Sequence, residues 1–309
     1  MILTEKKYEI YNDKIKQNYR VVSITDIHSN YKSLAKIAKE LENISPDLIV
    51  ISGDIIDSID NPNNAIMLDV LKLISKYVPT FISYGNHDTV TFEYDKMVGY
   101  KEIDTHNEEF FNSLKNQTNC IVLGNTGMEK FKDLIIRAYN LPTDKWYEHG
   151  ELKEQFEEEF NRTYCEMINQ IAKHEYTILS SHSPNGYLTK KGEFNKHLKQ
   201  HLLDTLILSG HNHGGMIPPK IQELISHTSL KGIGLVGPYG KFCFRNAYGY
   251  FNDGSTNLIL SDGVTISSEH YGKLGEIVNK IINSEIDIID LKNGESAIRY
   301  EGYKVKKLQ

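Results

Sequence analysis

The chain has 309 residues, 39 % apolar and 25 % charged, the profile of a soluble globular protein with room for one large α/β domain or two small ones. A formal charge of −6 without a long basic run argues against nucleic-acid binding driven by charge alone. Cys120, Cys165 and Cys243 are scattered and lack CxxC spacing, so reduced thiols, buried as small apolar residues, are expected rather than a disulfide framework.

The opening "MILTEKKYEIYNDKIKQNYR" carries charges every few residues and has neither the apolar core of a signal peptide nor a membrane span. It predicts a cytoplasmic protein with no transmembrane segment. Within and after it, "YEIYND" and "YRVVSITD" read as two strands around an Asn-Asp turn. "NYKSLAKIAKELENI" follows, with Leu34, Ile37, Ala38 and Leu41 at helical spacing. "PDLIVISGD" is a second apolar strand, "NAIMLDVLKLISKY" a second amphipathic helix, and "PTFISYGNHD" a third strand. The strand–helix–strand–helix–strand order, with strands apolar on both faces, predicts βαβ crossovers and a buried, largely parallel sheet.

Residues 91–175 read as a mostly helical excursion, with a helix in "KEIDTHNEEFFNSLKN" and strands in "CIVLG" and "KDLIIRAYNL". A long solvated helix is expected in "GELKEQFEEEFNRTYCEMINQIAKHE", its "EQFEEEF" being a charged outer face. Strands resume in "YTILSSHSP" and "DTLILSGHNHGG", then "TNLILSDG", a helix near 272–283 and a last β-like stretch, "IDIIDL". A single domain over residues 1–309 is expected, with a C-terminal extension after about residue 264.

Polar clusters stand just past the strands: Asp26 and His28, Asp54 and Asp57, Asn86 and His87, then His182, His211 and His213. Ligands bind open α/β sheets at that edge, so the clusters converge. Asp26, His28, Asp54, Asn86, His182, His211 and His213 form an oxygen- and nitrogen-rich set without thiolate, suited to Mn, Fe or Zn. They are too many for one four-coordinate ion. With Asp54 bridging, two divalent or trivalent ions about 3.5–4 Å apart can each take four protein ligands. His106, His149, His174, His197, His201, His227 and His270 lie outside these clusters, and Asp60 and Asp262 fit turns.

"DIH", "GDIID", "GNHD", "SSH" and "GHNHGG", each after an apolar strand, resemble the calcineurin-like metallophosphoesterase superfamily over roughly residues 20–215. The resemblance implies a four-layer α/β sandwich, two mixed β-sheets flanked by helices, around a dinuclear metal centre. It assigns Asp26, His28, Asp54 and His213 to the first ion and Asp54, Asn86, His182 and His211 to the second. His87 matches the catalytic histidine that assists the leaving group, and Asp57 the carboxylate that orients it. Asp88 fixes the turn through backbone hydrogen bonds, and Gly85 lets the chain bend beneath the metals. Ser180, Ser181 and Ser183 read as strand-end hydrogen-bonders.

The implied chemistry is attack of a metal-bridging hydroxide on a small-molecule phosphoester. Serine/threonine protein phosphatases of the superfamily carry Arg after the aspartate that Asp57 matches and Glu after the histidine; here Ser58 and Asp88 follow. Losing that arginine removes a bidentate clamp from a doubly charged monoester and favours a phosphodiester. The "GHNHGG" run resembles the bacterial phosphodiesterase-like branch, some members of which act on pyrophosphates. Alternatives are a phosphomonoesterase of the same superfamily and a non-catalytic interaction scaffold. Residues 216–250 are either a wall of the substrate cleft, with Lys241 or Arg245 near phosphate, or a surface loop with packed aromatics.

Overall fold

The computed structural model describes residues 1–140 apart from 59, 90, 96–98 and 104–107. It also describes residue 162 and residues 175–308 apart from 190–192, 196–203, 227, 238–241, 267–274, 276–277 and 280–281. The chain begins with β1 (Ile2–Tyr11), β2 (Tyr19–Ile24), α1 (Tyr31–Ile44), β3 (Leu48–Ser52), α2 (Asn64–Tyr77), β4 (Thr80–Ser83) and the single turn α3 (Asn86–Thr89). The hairpin of β5 (Thr91–Asp95) and β6 (Gly99–Ile103) follows, then α4 (Glu108–Gln117), β7 (Ile121–Gly124), β8 (Met128–Phe131) and β9 (Leu134–Ala138). Next come β10 (Tyr176–Ser180), β11 (Thr205–Ser209), a 3-10 turn (His213–Met216) and α5 (Pro219–Ile225). The chain closes with β12 (Gly234–Val236), β13 (Phe242–Phe244), β14 (Gly249–Asp253), β15 (Thr256–Leu260), β16 (Ser284–Lys292) and β17 (Ala297–Lys307).

Two mixed sheets make the body. The first has seven strands in the order β17-β1-β16-β2-β3-β4-β7, the second six in the order β14-β15-β11-β10-β9-β8. β2, β3, β4 and β7 run parallel, as do β9, β10, β11 and β15. The predicted crossovers are therefore present, and both parallel runs deliver their strand ends to one edge.

Double-faced burial explains the apolar strands. Val22, Ile24, Ile49, Ile51 and Ile82 pack with residues of α1, α2 and α4 such as Leu34, Leu71 and Leu114. The alternate residues Val21, Leu48, Val50 and Phe81 meet Ile136, Ile178, Leu206 and Leu208 between the sheets. Leu179, Ile207, Leu258 and Leu260 face the other way, toward Tyr139 and Tyr187. Helix α1 starts where the Asn30 side chain accepts the Ser33 N–H at 3.1 Å.

One sequence expectation changes. β1 and β2 do not pair around the Asn-Asp turn: β16 lies between them, parallel to β1 and antiparallel to β2. The C-terminal segment thus completes the first sheet, a pairing that no local pattern announces. The described part of 91–175 holds the hairpin β5–β6, α4 and strands β7, β8 and β9, with β7 extending the first sheet and β8 and β9 the second. The expected helices in "GELKEQFEEEF…" and near 272–283 lie outside the described residues, save isolated positions.

β16 also carries charge inward. Lys6 of β1 is buried with its Nζ 2.7 Å from Glu285 Oε2, 3.5 Å from Asp262 Oδ1 and 3.3 Å from Gln222 Oε1 of α5. Asp287, paired in register with Lys6, is also fully buried. Asp262 is therefore part of an interior ion network and not a surface turn residue. No helix among the described residues is long and apolar enough to cross a membrane.

Candidate metal centre

Three loops from the first sheet and two from the second meet at the shared edge. The loops after β2 and β3 are zipped together: the Ile27 and His28 N–H groups donate to the Asp54 carbonyl at 2.7 and 3.0 Å, and Ser29 N–H to Ile55 at 2.9 Å. One cross-sheet link is the His211 N–H, which donates to the Asp26 carboxylate at 3.1–3.2 Å. Asp26, His28, Asp54, His211 and His213 all hold positive φ, between 47° and 71°. Such a conformation costs an L-residue on the order of 1 kcal/mol, so it persists only where surrounding bonds impose it, and it concentrates at functional sites.

Six of the expected donors fall into two groups. Asp26, His28 and His213 offer ligand atoms within 4.8 Å of one another, and Asp54, His182 and His211 do the same. The Asp54 Oδ2 atom lies 3.1 Å from His182 Nε2 and 3.7 Å from His28 Nε2, between the two groups. His213 Nδ1 lies 3.7 Å from Asp26 Oδ1. Among the described residues, His28 Nε2, Asn86 Oδ1 and His213 Nδ1 are buried without a hydrogen bond, and His182 Nε2 is met by Asp54 Oδ2 alone. Buried polar atoms seldom stay unsatisfied, and the donor set fits hard or borderline divalent cations.

Burial opposes charge on every member, and neighbours decide where charge settles. Burial pushes Asp54 up, but His182 and His87 outweigh it and hold the carboxyl well below its usual range. At Asp26 burial prevails over His182 and raises the pKa. Burial pulls His28 and His182 down, yet Asp57 brings His28 up to about 9 and Asp54 brings His182 up to about 10. His211, depressed by burial and by His182, falls to about 3, and His213 falls well below its ordinary value through burial and His28. Cations at these donors compete with the protons on His28 and His182.

Asp57 does more than expected. Its Oδ1 lies 3.0 Å from His28 Nδ1 and 3.7 Å from His87 Nδ1, while its backbone carbonyl lies 3.1 Å from His87 Nδ1. The side chain chiefly orients His28, and the main chain orients His87. His28 and His87 stack edge to face with ring centroids 4.8 Å apart.

Gly85 is required for a reason other than a bend. A Cβ there would stand 2.2 Å from Asp54 Oδ1, and one at Gly53 (φ +82°) would stand 2.6 Å from the Gly85 Cα. Backbone meets backbone beneath the Asp54 carboxylate.

Asp88 also reaches past its own turn. Its Oδ1 accepts the N–H groups of Ile55 (3.0 Å) and Ile56 (3.2 Å), and its Oδ2 accepts that of Gly85 (2.8 Å). Burial, with the nearby Asp54 charge, pushes Asp88 up to about 7. Asp88→Ala would strip three buried donors of their acceptor and is expected to destabilise the fold by about 2 kcal/mol in urea unfolding. A loss too small to resolve would mean that the loops are held without it.

Outside the cluster, Ile217, Phe244, Ala247 and Tyr248 form a small core, so these side chains of the 216–250 loop pack rather than line a cleft; Arg245 is exposed and Lys241 lies outside the described residues. The seven histidines set aside by sequence, and Cys165, also lie outside them. Cys120 is buried as expected; Cys243 is exposed.

A protein of Helicobacter pylori (strain ATCC 700392 / 26695) described as an uncharacterized metallophosphoesterase is 23 % identical over 252 residues, which make up 80 % of this chain and 58 % of that relative. The chain thus spans little more than half the length of that relative. Among solved structures, TT1561 of Thermus thermophilus covers 80 % of this chain and 90 % of its own, with a TM-score of 0.45 and 10 % identity. A dimetal phosphatase from Danio rerio (LOC 393393) covers 79 % and 87 %, with a TM-score of 0.41 and 12 % identity. Residues 19–215 match the calcineurin-like phosphoesterase family. That span takes in all five strand-end motifs, and the chain belongs to this family.

Proposed function

We propose that the protein hydrolyses a phosphodiester or pyrophosphate bond of a small-molecule substrate at a dinuclear metal centre. Asp26, His28, Asp54 and His213 would hold one ion, and Asp54, Asn86, His182 and His211 the other. The observation that carries this reading is the buried ring nitrogens of His28, His182 and His213 around the carboxylates of Asp26 and Asp54, together with an Asn86 Oδ1 that is buried without a partner among the described residues. When bound, manganese, iron or zinc ions supply Lewis acidity toward the phosphoryl group and toward water.

The chain's own residues do the rest. Asn86 contributes a neutral oxygen, which limits negative charge in a pocket that must admit an anion. Asp57 holds His28 by its carboxylate and His87 by its carbonyl, at 3.0 and 3.1 Å. With Nδ1 so engaged, His87 exchanges a proton through its other ring nitrogen and gives it to the departing oxygen. The first-sheet loops and His211 exclude water around Asp26 and Asp54, which are 0 % and 1 % exposed. Ser58, standing where related protein phosphatases carry arginine, supports a singly charged diester over a monoester.

Bis(p-nitrophenyl) phosphate and p-nitrophenyl phosphate, assayed with Mn²⁺ and again after chelation, test the reading. Manganese-dependent turnover with a higher kcat/KM on the diester is expected, abolished by chelator. A preference for the monoester would return the phosphomonoesterase, and inertness with Mn²⁺, Fe²⁺ and Zn²⁺ alike would favour an interaction scaffold.

A further inference from the structure

The proposed ligands come from two different sheets. Asp26, His28, Asp54 and Asn86 follow β2, β3 and β4 of the first; His182, His211 and His213 follow β10 and β11 of the second. A shared centre therefore depends on how firmly the two edges are fixed to each other. Between sheets, the hydrophobic attraction of apolar side chains has little directional preference, so it does not by itself orient individual polar groups.

At the edge the apolar interface gives way to hydroxyls. β3, β4 and β10 each end in serine, and Ser52, Ser83 and Ser180 are all fully buried. Ser180 Oγ donates to Ser52 Oγ at 2.9 Å and lies 2.7 Å from Ser83 Oγ. A hydroxyl has one proton to give, so Ser83 must be the donor to Ser180, and the three form a directed chain from one sheet to the other and back. A ligand follows each of these serines within three positions: Asp54 after Ser52, Asn86 after Ser83, His182 after Ser180. The Ser52 carbonyl also lies 2.8 Å from His182 Nδ1, which turns the other ring nitrogen toward Asp54. Ser209 ends β11 in the same way, yet its buried hydroxyl has no hydrogen bond among the described residues, so a strand-terminal serine does not join the chain by position alone.

We propose that Ser180 is a positioning residue for the metal centre: its hydroxyl, bonded to Ser52 and Ser83 across the sheet interface, sets His182 against Asp54 and so fixes the two halves of the site in register. Ser180 touches neither ion nor substrate; it acts through Ser52 and His182. The inference rests on the reading that Asp54 and His182 hold a cation. Groups that orient metal ligands from outside the coordination sphere commonly govern affinity by about 10–100-fold, and a hydroxyl one step further out belongs at the low end of that range.

Mn²⁺ titration calorimetry on chelator-stripped full-length protein tests this. Ser180→Ala removes both hydrogen bonds, Ser83→Ala removes one, and Ile178→Val takes a methyl from the same inter-sheet core without touching a hydroxyl. The expected result is an Mn²⁺ dissociation constant raised about tenfold in Ser180→Ala and by less in Ser83→Ala, with Ile178→Val unchanged even where its thermal midpoint falls. Wild-type affinity in Ser180→Ala, or an equal weakening in Ile178→Val, would overturn the proposal. Should Ser180→Ala not fold, Ser83→Ala against Ile178→Val decides it by the same comparison. Wild-type protein that binds no Mn²⁺ would instead remove the metal reading itself, and this inference with it.

Discussion

His87→Ala is expected to lower kcat on bis(p-nitrophenyl) phosphate by about 10²–10⁴-fold while Mn²⁺ binding stays at its wild-type stoichiometry. The separation follows from geometry. His87 sits on the short α3 turn beside Asn86, but its Nδ1 is engaged by the Asp57 carbonyl at 3.1 Å, and its backbone N–H is the part that reaches Asp54, at 2.9 Å. That backbone bond survives truncation to alanine, so the Asp54 carboxylate keeps its support. Asp57→Asn should behave differently, because the carboxylate lies 3.0 Å from His28 Nδ1. It is expected to weaken Mn²⁺ binding about tenfold and to lower kcat as well. A His87→Ala enzyme with kcat near wild type would place the proton donor elsewhere. Loss of Mn²⁺ in that variant would make His87 a support of the metal pocket rather than an acid.

What could be read from the sequence divides by range. The proposed ligands are legible as a group because each closely follows an apolar strand, and parallel strands deliver such residues to one edge whatever the remaining topology. The crossovers β2-α1-β3-α2-β4 were legible because their periodicities are local. The position of β16 was not: Leu3 pairs with Ser284, and nothing near either residue signals it. Asp262 looked like a turn residue because "SDG" is a turn locally; its meaning comes from Lys6 at the other end of the chain. The positive φ values at Asp26, His28 and Asp54 were equally hidden, since backbone bonds between loops impose them and side-chain type does not. Sequence order pairs Asp57 with His87 but cannot show that its carboxylate stands closer to His28, at 3.0 Å against 3.7 Å.

The largest stability effect should come from Lys6, far from the proposed chemistry. Its ammonium is buried opposite Glu285, Asp262 and Asp287, with Gln222 completing its shell and donating in turn to Asp262 and to the Ile217 carbonyl. Lys6→Met keeps the side-chain length but leaves the carboxylates facing one another without a cation. Breaking a buried ion pair from one side costs about 3–5 kcal/mol, and urea unfolding near pH 8 should register a loss of that size. The pH dependence follows from the carboxyls. Burial pushes Glu285 well above its ordinary range and Asp287 up to about 7, and Lys6 pulls both back. Without Lys6 their native pKa values rise further, so between the unfolded and folded values the native state holds protons that the unfolded chain has released. Stability then falls as pH rises through the folded values. The deficit of Lys6→Met should accordingly be smaller near pH 5.5 than near pH 8, and Glu285→Gln added to it should recover part of the loss at the higher pH. An equal deficit at both values would mean that packing of the lysine stem, rather than its charge, is what the interior requires. The damage should also reach the metal centre: a Cβ on Gly214 would stand 2.4 Å from the Asp262 carboxyl carbon, so that carboxylate packs against the turn that begins at His213, and the turn shifts when the carboxylate does.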